Sequence, residues 1–399
     1  MTKLQNHDIT VLGGGIGGLT AAIALAQKGA NVTVLEQAPE ITEVGAGLQI
    51  SPNGFRVLQA LGLEKAAYEA SMRSKGVWLR DGMSGREVVD LNFGAIAPDD
   101  TFLLFHRTDL IGLLADAARR EGVEIRLNQQ VVDVEDGDAG VGVRFADGSA
   151  HHCAFLVGAD GLHSIVRGKL NGVEHPFFTG QVAWRAIVPA TGREQAEATV
   201  FMGPGRHMVT YPLRGGSLVN IVAVEERAAW VDEGWNTPDD PANLRAAFAG
   251  FCDDAMALLE RVEDVKVWGL HRHEVAPVWY QGSKGGHMVL LGDAAHPTLP
   301  FMAQGAVMAL EDAWVLAHCL SHEGMERGGA LYQARRGPRT RHIVEAANKN
   351  ARNYHYGNPA ARMIGHTALR LAGRFVPHLV YNRFRWIYDA DVTADVTRL

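Results

Sequence analysis

The chain has 399 residues, 47% of them hydrophobic and 21% charged, so it can bury a sizeable core and is not a wholly disordered polypeptide. Its 38 Lys and Arg against 45 Asp and Glu give a formal net charge of −7, which argues against a general binder of nucleic acid or of anionic membranes. The 3 cysteines form no CxxC pair and no apolar run reaches the ~20 residues of a membrane span, so we expect a cytoplasmic protein without a disulfide scaffold, a metal site or a membrane segment.

The N-terminal segment predicts a strand, a helix and a second strand that runs parallel to the first. Residues Asp8–Leu12 are apolar and β-branched, as buried parallel strands are. A glycine-rich stretch follows, and Gly17–Lys28 then has a helical composition. Asn31–Glu36 repeats the strand pattern. This order is typical of the strand–helix–strand unit that binds dinucleotides.

Two further helices are predicted before the middle of the chain. Ser51 and Pro52 have the character of an N-cap and a first helical residue, and they indicate a helix that runs to about Leu61. Thr108 is expected to cap the next helix, because an apolar stripe of helical period follows it.

The middle of the chain is predicted to be rich in β-structure. Val131–Val134 and Val141–Phe145, which are separated by Asp136 and Gly137, predict a hairpin, and Ala154–Val157 predicts a buried strand. From about residue 174 to 277, short apolar segments alternate with Pro and Gly turns and indicate an antiparallel sheet. His287–Leu291 returns to the pattern of a buried strand.

The last third of the chain is predicted to be helical. Ala306–Cys319 and Leu331–Tyr354 have helical composition, and the tail beyond Pro359 is basic and aromatic. Apolar side chains in that tail must be buried somewhere, which predicts a homodimer, with docking of the tail onto its own chain as the alternative.

The glycines between the first strand and the first helix carry the first chemical signal. In the pattern Gly13-x-Gly15-x-x-Gly18, the first glycine permits a tight turn, the second lets the backbone approach a pyrophosphate and the third lets helix and sheet pack. The helix N-terminus offers N–H groups to phosphates, and Glu36 can accept hydrogen bonds from ribose hydroxyls. Such turns also occur for packing alone, but this context predicts FAD or NAD.

Two later segments resemble nucleotide motifs of flavoprotein aromatic hydroxylases. Phe155–Arg167, which contains Asp160, resembles their second motif, and Leu290–Pro297, which contains Gly292 and Asp293, resembles the third. A carboxylate at the end of a strand, as at Asp293, can accept hydrogen bonds from ribitol hydroxyls. The helix that starts near Gly305 points its N–H groups toward the pyrimidine edge of a flavin, where the reduced ring carries negative charge.

With these motifs, nearly the whole chain resembles the group A flavin-dependent monooxygenases, among them the salicylate hydroxylases, 3-hydroxybenzoate 6-hydroxylase and 6-hydroxynicotinate 3-monooxygenase. Gly45–Asn53 is similar to the family's segment beside the isoalloxazine ring, His106–Leu110 to its flavin-contacting Arg motif and Met302–Ala306 to its flavin loop. The resemblance implies noncovalent FAD. It assigns to FAD the residues Gly13, Gly15, Ile16, Gly17, Gly18, Glu36, Gln37, Gly47, Leu48, Arg107, Val131, Asp160, Gly292, Asp293, Pro300, Gly305 and Ala306.

The resemblance implies an α/β fold, in which a three-layer, Rossmann-like FAD-binding domain carries an inserted antiparallel β-sheet substrate domain and C-terminal helices. Residues 1–172 are expected to form the first part of the FAD-binding domain. The substrate domain is expected at 173–280, with a contribution from about 72–105. Residues 281–355 would complete the FAD-binding domain and form long helices, and 356–399 would form the helical tail.

The resemblance also implies the reaction. It is the hydroxylation of a small hydroxylated aromatic acid, of the salicylate or 3-hydroxybenzoate type, by O2 and a flavin C4a-hydroperoxide, with NADH or NADPH as the transient reductant. Gly203–Pro212 resembles the strand that presents a catalytic His and Tyr to the phenol, which assigns these roles to His207 and Tyr211. Removal of the phenol proton activates the ring, and an imidazole with a pKa near ~6.5 suits that step. A structural imidazole and a core aromatic are the alternatives for the two residues.

Several alternatives stay open from the sequence. Leu299–Phe301 and Gln49 stand where the relatives just described have polar side chains, so urate, a hydroxypyridine, a quinolone or a polyketide phenol are alternative rings. Arg185 and Arg206 are candidates for a substrate carboxylate, for the cofactor or for salt bridges. A flavin- or NAD-dependent dehydrogenase is the alternative of another class, against which the lack of a second complete GxGxxG domain and of a redox CxxC pair argues.

Overall fold

Residues 4–41, 46–138, 140–230 and 237–394 are described by the computed structural model. Their β-strands are β1 (Asp8–Leu12), β2 (Asn31–Leu35), β3 (Gly47–Ile50), β4 (Ser71–Arg73), β5 (Gly76–Asp81), β6 (Glu87–Asn92), β7 (Leu103–His106), β8 (Glu124–Arg126), β9 (Val131–Gly137), β10 (Gly140–Phe145), β11 (Ala150–Cys153), β12 (Phe155–Gly158), β13 (Phe177–Pro189), β14 (Ala198–Gly203), β15 (Arg206–Leu213), β16 (Leu218–Glu226), β17 (Thr237–Asp239), β18 (Val265–Arg272), β19 (Tyr280–Gly282) and β20 (His287–Leu290). Their α-helices are α1 (Ile16–Ala26), α2 (Pro52–Ala60), α3 (Glu64–Glu69), α4 (Phe93–Ile96), α5 (Arg107–Arg120), α6 (Ile165–Asn171), α7 (Pro241–Ala247), α8 (Asp253–Leu259), α9 (Gly305–Tyr354), α10 (Pro359–Phe375), α11 (Pro377–Asn382) and α12 (Arg385–Tyr388). Single 3₁₀ turns cover Arg214–Gly216, Gly292–Ala294 and Pro300–Met302.

A mainly parallel sheet lies at the centre of the first region, with the order β19-β20-β12-β1-β2-β8. All its neighbouring strands are parallel except β19 and β20. The central strands are apolar and buried, because layers cover both faces of a parallel sheet. Helices α1, α5 and α9 pack together as one layer, and the antiparallel sheet β11-β10-β9 forms the other. The three-layer, Rossmann-like fold predicted from the sequence is therefore confirmed.

Two local predictions in this region are wrong in detail. Thr108 does not cap helix α5, because strand β7 runs to His106 and the helix starts directly at Arg107, which makes His106 the N-cap residue. The predicted hairpin forms, but β9 continues through Asp136 and Gly137 instead of turning there. The chain reverses after Gly137, which pairs with Gly140 across the two strands.

A second, larger sheet has the order β17-β18-β13-β16-β15-β14-β5-β6. The strands of the 174–277 segment pair in antiparallel fashion, as predicted. The pair β14 and β5 is parallel, because β5 and β6 come from an earlier segment of the chain and join at the edge. The sheet is therefore mixed, and the predicted contribution from about 72–105 includes these two strands.

The two faces of the large sheet differ in what they contact. Side chains such as Trp184 and Met208 point to one face and form a core with Phe248, which directly follows α7, and with residues of α7 and α8. The opposite face, called here the front face, presents Ala183, Arg185, Val224 and Trp268 from the central strands and His207 and Tyr211 from β15. Leu299 and Phe301 pack on it from the other region.

The C-terminal helices are longer than predicted. Helix α9 consists of two helical segments that meet at Gly324, whose φ of 81° interrupts the helical geometry. Residues between the two predicted stretches are therefore mostly helical, and Pro338 lies inside the second segment. In the tail, Tyr381 and Ile387 are buried against the chain, whereas Phe375 and other apolar side chains are exposed. None of the helices in the described residues is both long and apolar enough to cross a membrane.

Candidate active site between the nucleotide motifs and the large sheet

The glycine turn at the end of β1 is shaped by close backbone contacts. Gly13 has a φ of 107°, and its N–H donates to the Leu35 carbonyl of the neighbouring strand at 2.8 Å. A Cβ on Gly13 would lie 2.4 Å from the Ala159 carbonyl oxygen, and one on Gly18 would lie 1.9 Å from the Gly13 oxygen. These two positions therefore exclude any side chain, and the N-terminus of α1 is held at the carboxyl end of β1.

Glu36 lies beside this turn, as the sequence predicts for a ribose-binding carboxylate. Its two carboxylate oxygens accept hydrogen bonds from the N–H of Gly14 at 2.7 Å and of Ala38 at 2.8 Å. Its backbone carbonyl accepts from the N–H of Gln129 at 2.8 Å, which brings the neighbouring Val131 to the same edge of the sheet. Gln37 follows directly and is exposed. The structure thus brings together the residues of the predicted adenosine end, including Gly15, Ile16 and Gly17.

The carboxylate of Asp160, in the second motif, forms hydrogen bonds within its own loop. Its carboxylate accepts hydrogen bonds from the Ser164 hydroxyl at 2.5 Å and from the Ile165 N–H at 2.8 Å, at the start of α6. Burial raises the pKa of this carboxyl, and the bonds from Ser164 and Ile165 oppose the shift. Within the described contacts Asp160 therefore shapes the loop that adjoins Gly13. Its assignment to FAD stays a prediction.

Asp293 of the third motif is placed differently. It follows Gly292, whose φ is 63°, and its side chain is accessible to solvent although protein atoms surround it closely enough to desolvate it. Burial raises the pKa of this carboxyl, and the nearby His296 and Arg107 oppose the shift. Among the described residues, the Asp293 carboxylate accepts no hydrogen bond. Its oxygens are therefore available to hydroxyl donors such as those of a ribityl chain.

The predicted flavin loop is fixed to helix α2. Ala303 adopts a left-handed backbone with a φ of 52°, and Gln304 is buried. The Gln304 amide donates to the Ser51 hydroxyl at 2.9 Å and accepts from the Asn53 amide at 3.2 Å. Pro300 lies in the 3₁₀ turn before the loop, and Gly305 and Ala306 start α9 after it. The hydrogen bonds of Gln304 therefore fix the position of the N-terminus of α9 relative to α2.

A buried ionic network under the loop was not found by sequence reasoning. Arg336 bonds Asp312 at 2.7 Å and Glu311 at 2.8 Å, and all three side chains are almost fully buried. The other Asp312 oxygen lies 2.5 Å from Nε2 of His296, the histidine of the third motif. Charges this deep are tolerated only when paired, so the network locks α9 onto the Asp293 turn. Glu311 and Asp312 precede Arg336 by 25 and 24 positions, so no local sequence pattern indicates these ion pairs.

Gly47 links the nucleotide region to the front face of the large sheet. Its N–H donates to the Asn220 side chain of β16 at 2.6 Å. A Cβ on Gly47 would lie 2.5 Å from the Tyr211 ring, so only glycine permits this approach. Leu48 follows and is half-buried, whereas Gly45 lies outside the described residues. Tyr211 is therefore next to the predicted isoalloxazine segment, and burial raises the pKa of its phenol above the ordinary value.

His207 lies on the same face but is more deeply buried than the sequence suggests. His207 is 2% exposed and packs against Phe301, in the turn before the flavin loop, and Tyr354 of α9. Burial, and secondly the neighbouring His355, lower the pKa of His207 well below its usual range. The imidazole is therefore a weaker base here than a free side chain, because solvent is excluded from this part of the sheet. His207 lies beside the turn that precedes the flavin loop, and its catalytic role stays a prediction.

Arg185 presents an uncompensated charge to the front face. Its guanidinium stacks on Trp268 at 4.5 Å, and in the described residues it forms no hydrogen bond and no ion pair. Burial and the nearby Arg107 lower its pKa to about 10, so it is still cationic at neutral pH. Arg206, the other candidate, is instead 3.7 Å from Glu225. The structure therefore distinguishes two arginines that the sequence could not: Arg206 has a carboxylate partner, and Arg185 has none among the described residues.

Comparisons with known proteins agree with this geometry. Residues 6–347 match the family model described as FAD binding domain. The chain is 35% identical to 3-hydroxybenzoate 6-hydroxylase 1 of Aquipseudomonas alcaligenes, over 97% of this chain and 98% of the relative. It is 33% identical to 3-amino-4-hydroxybenzoate 2-monooxygenase of Streptomyces platensis, again over 97% and 98%. A solved variant of Klebsiella pneumoniae HpxO in complex with FAD aligns with a TM-score of 0.81 at 26% identity, over 94% of this chain and 97% of that one.

The fold and the site thus define a flavoprotein of the monooxygenase class. The chain belongs to the FAD-binding domain family, and within it to the FAD-dependent aromatic monooxygenases. The residues present fit FAD: glycine positions that exclude a Cβ shape the turn at α1, the exposed Asp293 carboxylate has no hydrogen bond in the described residues, and helix α9 begins at Gly305 directly after the flavin loop. In the part of the chain that the structure describes, no group of three or more His, Cys, Asp or Glu is arranged to hold a metal ion.

Proposed function

We propose that this chain hydroxylates a small aromatic ring that carries both a phenolic hydroxyl and a carboxylate, with electrons from NADH or NADPH. The observation that carries the proposal is the half-buried Arg185, whose buried Nε has no hydrogen-bond partner in the described residues and which lies on the same sheet face as His207 and Tyr211. A buried cation without a counter-charge costs free energy, and an anionic substrate group removes that cost.

The substrate class follows from the surroundings of these polar groups. Ala183, Val224, Trp268, Leu299 and Phe301 form an apolar cluster on the front face, which suits the faces of an aromatic ring. The relatives named above act, by their names, on hydroxylated benzoates, which carry a carboxylate for Arg185 and a phenol for His207. A hydroxybenzoate therefore offers a matching group to each of these two side chains.

The residues of the chain have separate tasks in this reaction. Bound FAD, once reduced, would activate O2, of which one oxygen atom would enter the ring and the other would leave as water. Arg185 holds the carboxylate and fixes which ring carbon faces the flavin. His207 removes the phenol proton, which enriches the ring carbons in electrons, and Tyr211 orients the ring beside Gly47. The FAD contacts assigned from the sequence, and the division at residues 172, 280 and 355, are part of the same proposal.

A panel of aromatic acids tests the proposed substrate class. FAD-loaded protein is incubated with salicylate, 3-hydroxybenzoate, 3-amino-4-hydroxybenzoate and 6-hydroxynicotinate, and with the carboxamide of each acid. We expect one or more acids to stimulate NADH or NADPH oxidation and to gain one oxygen atom by mass spectrometry. The carboxamides should be poor ligands. Equal turnover of acid and amide would contradict the role of Arg185.

A substitution sharpens the same test. Arg185→Gln removes the cation and keeps a polar side chain, so the Kd of the preferred acid should rise about 10- to 100-fold, as for loss of a charged hydrogen bond. FAD content should be unchanged. Arg144→Gln is the matched control, because Arg144 is an exposed arginine of β10 that pairs with Asp133 far from the front face. Equal weakening in both variants would contradict the proposal.

A further inference from the structure

His207 is the inner end of a chain of hydrogen bonds that reaches the protein surface. Its Nδ1 lies 2.6 Å from Nε2 of His355, at the end of α9. Nδ1 of His355 lies 2.8 Å from a carboxylate oxygen of Glu226, the last residue of β16. Both histidines are buried, whereas the Glu226 side chain is 53% exposed. The three side chains therefore connect the front face with solvent.

The direction of these bonds is determined by the outermost group. An ionised carboxylate only accepts hydrogen bonds, so Nδ1 of His355 must be protonated. Nε2 of a neutral His355 is then an acceptor, and Nδ1 of His207 must donate to it. This leaves Nε2 of a neutral His207 as a lone pair, and in the described residues that nitrogen has no hydrogen-bond partner. A base is thus held in the tautomer that can accept a proton.

The groups around the chain favour neutral histidines. Burial lowers the pKa of His355, Arg206 lowers it further, and the bond to Glu226 opposes both effects. Arg206 and Arg227 are compensated by Glu225, which lies 3.7 Å and 3.0 Å from them. The rings of Tyr354 on α9 and of Phe301 in the turn before the flavin loop contact His207, and neither carries a charge at neutral pH.

We propose that His207, His355 and Glu226 form a proton relay that carries the phenol proton of the substrate to solvent. The proposal rests on the proposed function. The phenol O–H bond breaks and its proton binds Nε2 of His207. The Nδ1 proton of His207 passes to Nε2 of His355, and the Nδ1 proton of His355 passes to the Glu226 carboxylate, which releases it to water. The substrate remains as the phenolate, and both histidines are neutral in the opposite tautomer. The starting tautomers return when the product phenolate takes the Nε2 proton of His207 and a proton from water enters through Glu226 and His355.

A relay explains how a buried imidazole could take up the phenol proton, which a single buried histidine would hold poorly. A buried imidazole with a lowered pKa holds a proton poorly, and a phenol with a pKa near ~10 gives one up reluctantly. A connection to bulk water removes the need to store the charge next to the flavin. His355 and Glu226 are therefore transfer residues, whereas a merely structural pair would only attach the end of α9 to β16.

The tautomers supply a test that needs neither substrate nor turnover. FAD-loaded protein labelled with ¹⁵N-histidine is recorded by long-range ¹H–¹⁵N NMR at neutral pH, with His207→Gln and His355→Gln for assignment. We expect both His207 and His355 to be neutral and protonated at Nδ1. A His207 protonated at Nε2 would overturn the relay, because its lone pair would then face His355.

Proton release tests the transfer itself. Oxidised, FAD-loaded protein is mixed with 3-hydroxybenzoate in weak buffer that contains a pH indicator, without NADH. In Glu226→Gln, which keeps a hydrogen-bonding side chain but takes up no proton, release should slow at least about tenfold and become proportional to the concentration of added buffer base. The Kd of 3-hydroxybenzoate should change little. Glu135→Gln, an exposed glutamate of β9, is the control and should behave as the wild type.

The outcomes separate the relay from the proposed function. Unchanged, buffer-independent proton release in Glu226→Gln, in protein that binds the phenol, overturns the relay alone. Failure of every phenolic acid to perturb the FAD spectrum of the wild type overturns the proposed function, and the relay with it. His355→Gln is the second variant if Glu226→Gln does not fold, and it should show the same loss of release.

Discussion

The glycine turn at the end of β1 is held by backbone atoms, whereas the front face of the large sheet is held by side chains from distant strands. At the turn, Gly13 and Gly18 contact carbonyl oxygens so closely that no Cβ fits. On the front face, Arg185 and His207 belong to strands that are separated by β16. A backbone site tolerates almost no substitution, while a side-chain site can change its ligand by replacing one residue.

This difference predicts where specificity lies in the molecule. Binding of a dinucleotide depends on a turn whose geometry is the same whatever substrate is used. Recognition of the ring depends on a few groups of the front face, and each of them is replaceable without disturbing the turn. Substitutions in the first region should therefore remove FAD, and those in the second should leave FAD bound and alter the reaction.

The largest effect is expected at Gly15. Its φ of −78° and ψ of −175° are open to any residue, so Gly15→Val should fold, but its side chain should occupy the approach of the pyrophosphate. We expect the purified variant to contain no FAD by absorbance, with an unchanged far-UV circular dichroism spectrum. Gly112→Val on α5, where a Cβ meets nothing within 4 Å, is the matched control. Normal FAD content in Gly15→Val would refute the nucleotide site.

The next largest effect is expected at His207. His207→Ala should retain FAD and NADH oxidation, while hydroxylation falls ~10²–10⁴-fold, as for the loss of a positioned base. The defect should shrink as the pH approaches the pKa of the free phenol, because solution then supplies the phenolate. Product mass and hydrogen peroxide yield measure the coupling.

The controls for His207 separate chemistry from packing. His207→Gln fills the space better than alanine and should show the same loss. His152→Ala removes an exposed histidine of β11 and should be silent. Tight coupling of NADH oxidation to product in His207→Ala at pH 7 would make this histidine structural.

The same difference explains what the sequence could predict. The glycines, Glu36 and Asp293 act within a few residues of a strand end, so their spacing along the chain already encodes their geometry. The contact of His207 with His355 joins residues 148 positions apart, and no local pattern records it. Arg185 and Arg206 could not be distinguished either, because only the folded sheet shows that Glu225 compensates one of them.

Secondary structure shows the same limit on a smaller scale. The strand–helix–strand unit at the N-terminus was predictable, because apolar runs and glycines define it locally. The cap of α5 was not, since β7 extends to His106 and leaves no loop in which Thr108 would serve as a cap. The parallel pairing of β5 with β14 was not predictable either, because it joins two segments that are far apart along the chain and meet only at the sheet edge.

A smaller effect within the nucleotide region is expected at Asp293. Asp293→Ala removes an acceptor for a ribityl hydroxyl and should weaken FAD binding by about 1–3 kcal/mol, which is roughly 5- to 150-fold in Kd. Titration of the apoprotein with FAD, followed by flavin fluorescence, measures the change. Asp116→Ala is the control, because Asp116 is an exposed residue of α5 that pairs with Arg119. An unchanged FAD Kd in Asp293→Ala would show that this turn only packs.

The smallest effect on catalysis is expected in the tail, which belongs to neither region. Ile364, Leu371 and Phe375 recur at helical spacing on α10 and are 67%, 52% and 70% exposed. Such a stripe favours association with a second copy of the chain. Light scattering should give twice the 43.2 kDa mass of one chain, and Phe375→Glu combined with Leu371→Glu should give the single mass.

The tail variant sharpens the comparison because it should change assembly without changing either site. FAD content and the rate of hydroxylation should stay within about twofold of the wild type, since these side chains contact neither the glycine turn nor the front face. Val173→Glu, at an exposed apolar residue beyond α6, controls for the added charge and should remain a dimer. A wild-type mass of one chain at micromolar concentration would refute the dimer, and the stripe would then be ordinary exposed surface. Loss of FAD together with dissociation would instead place the tail interface in contact with the nucleotide region, and the separation of the two regions would not hold.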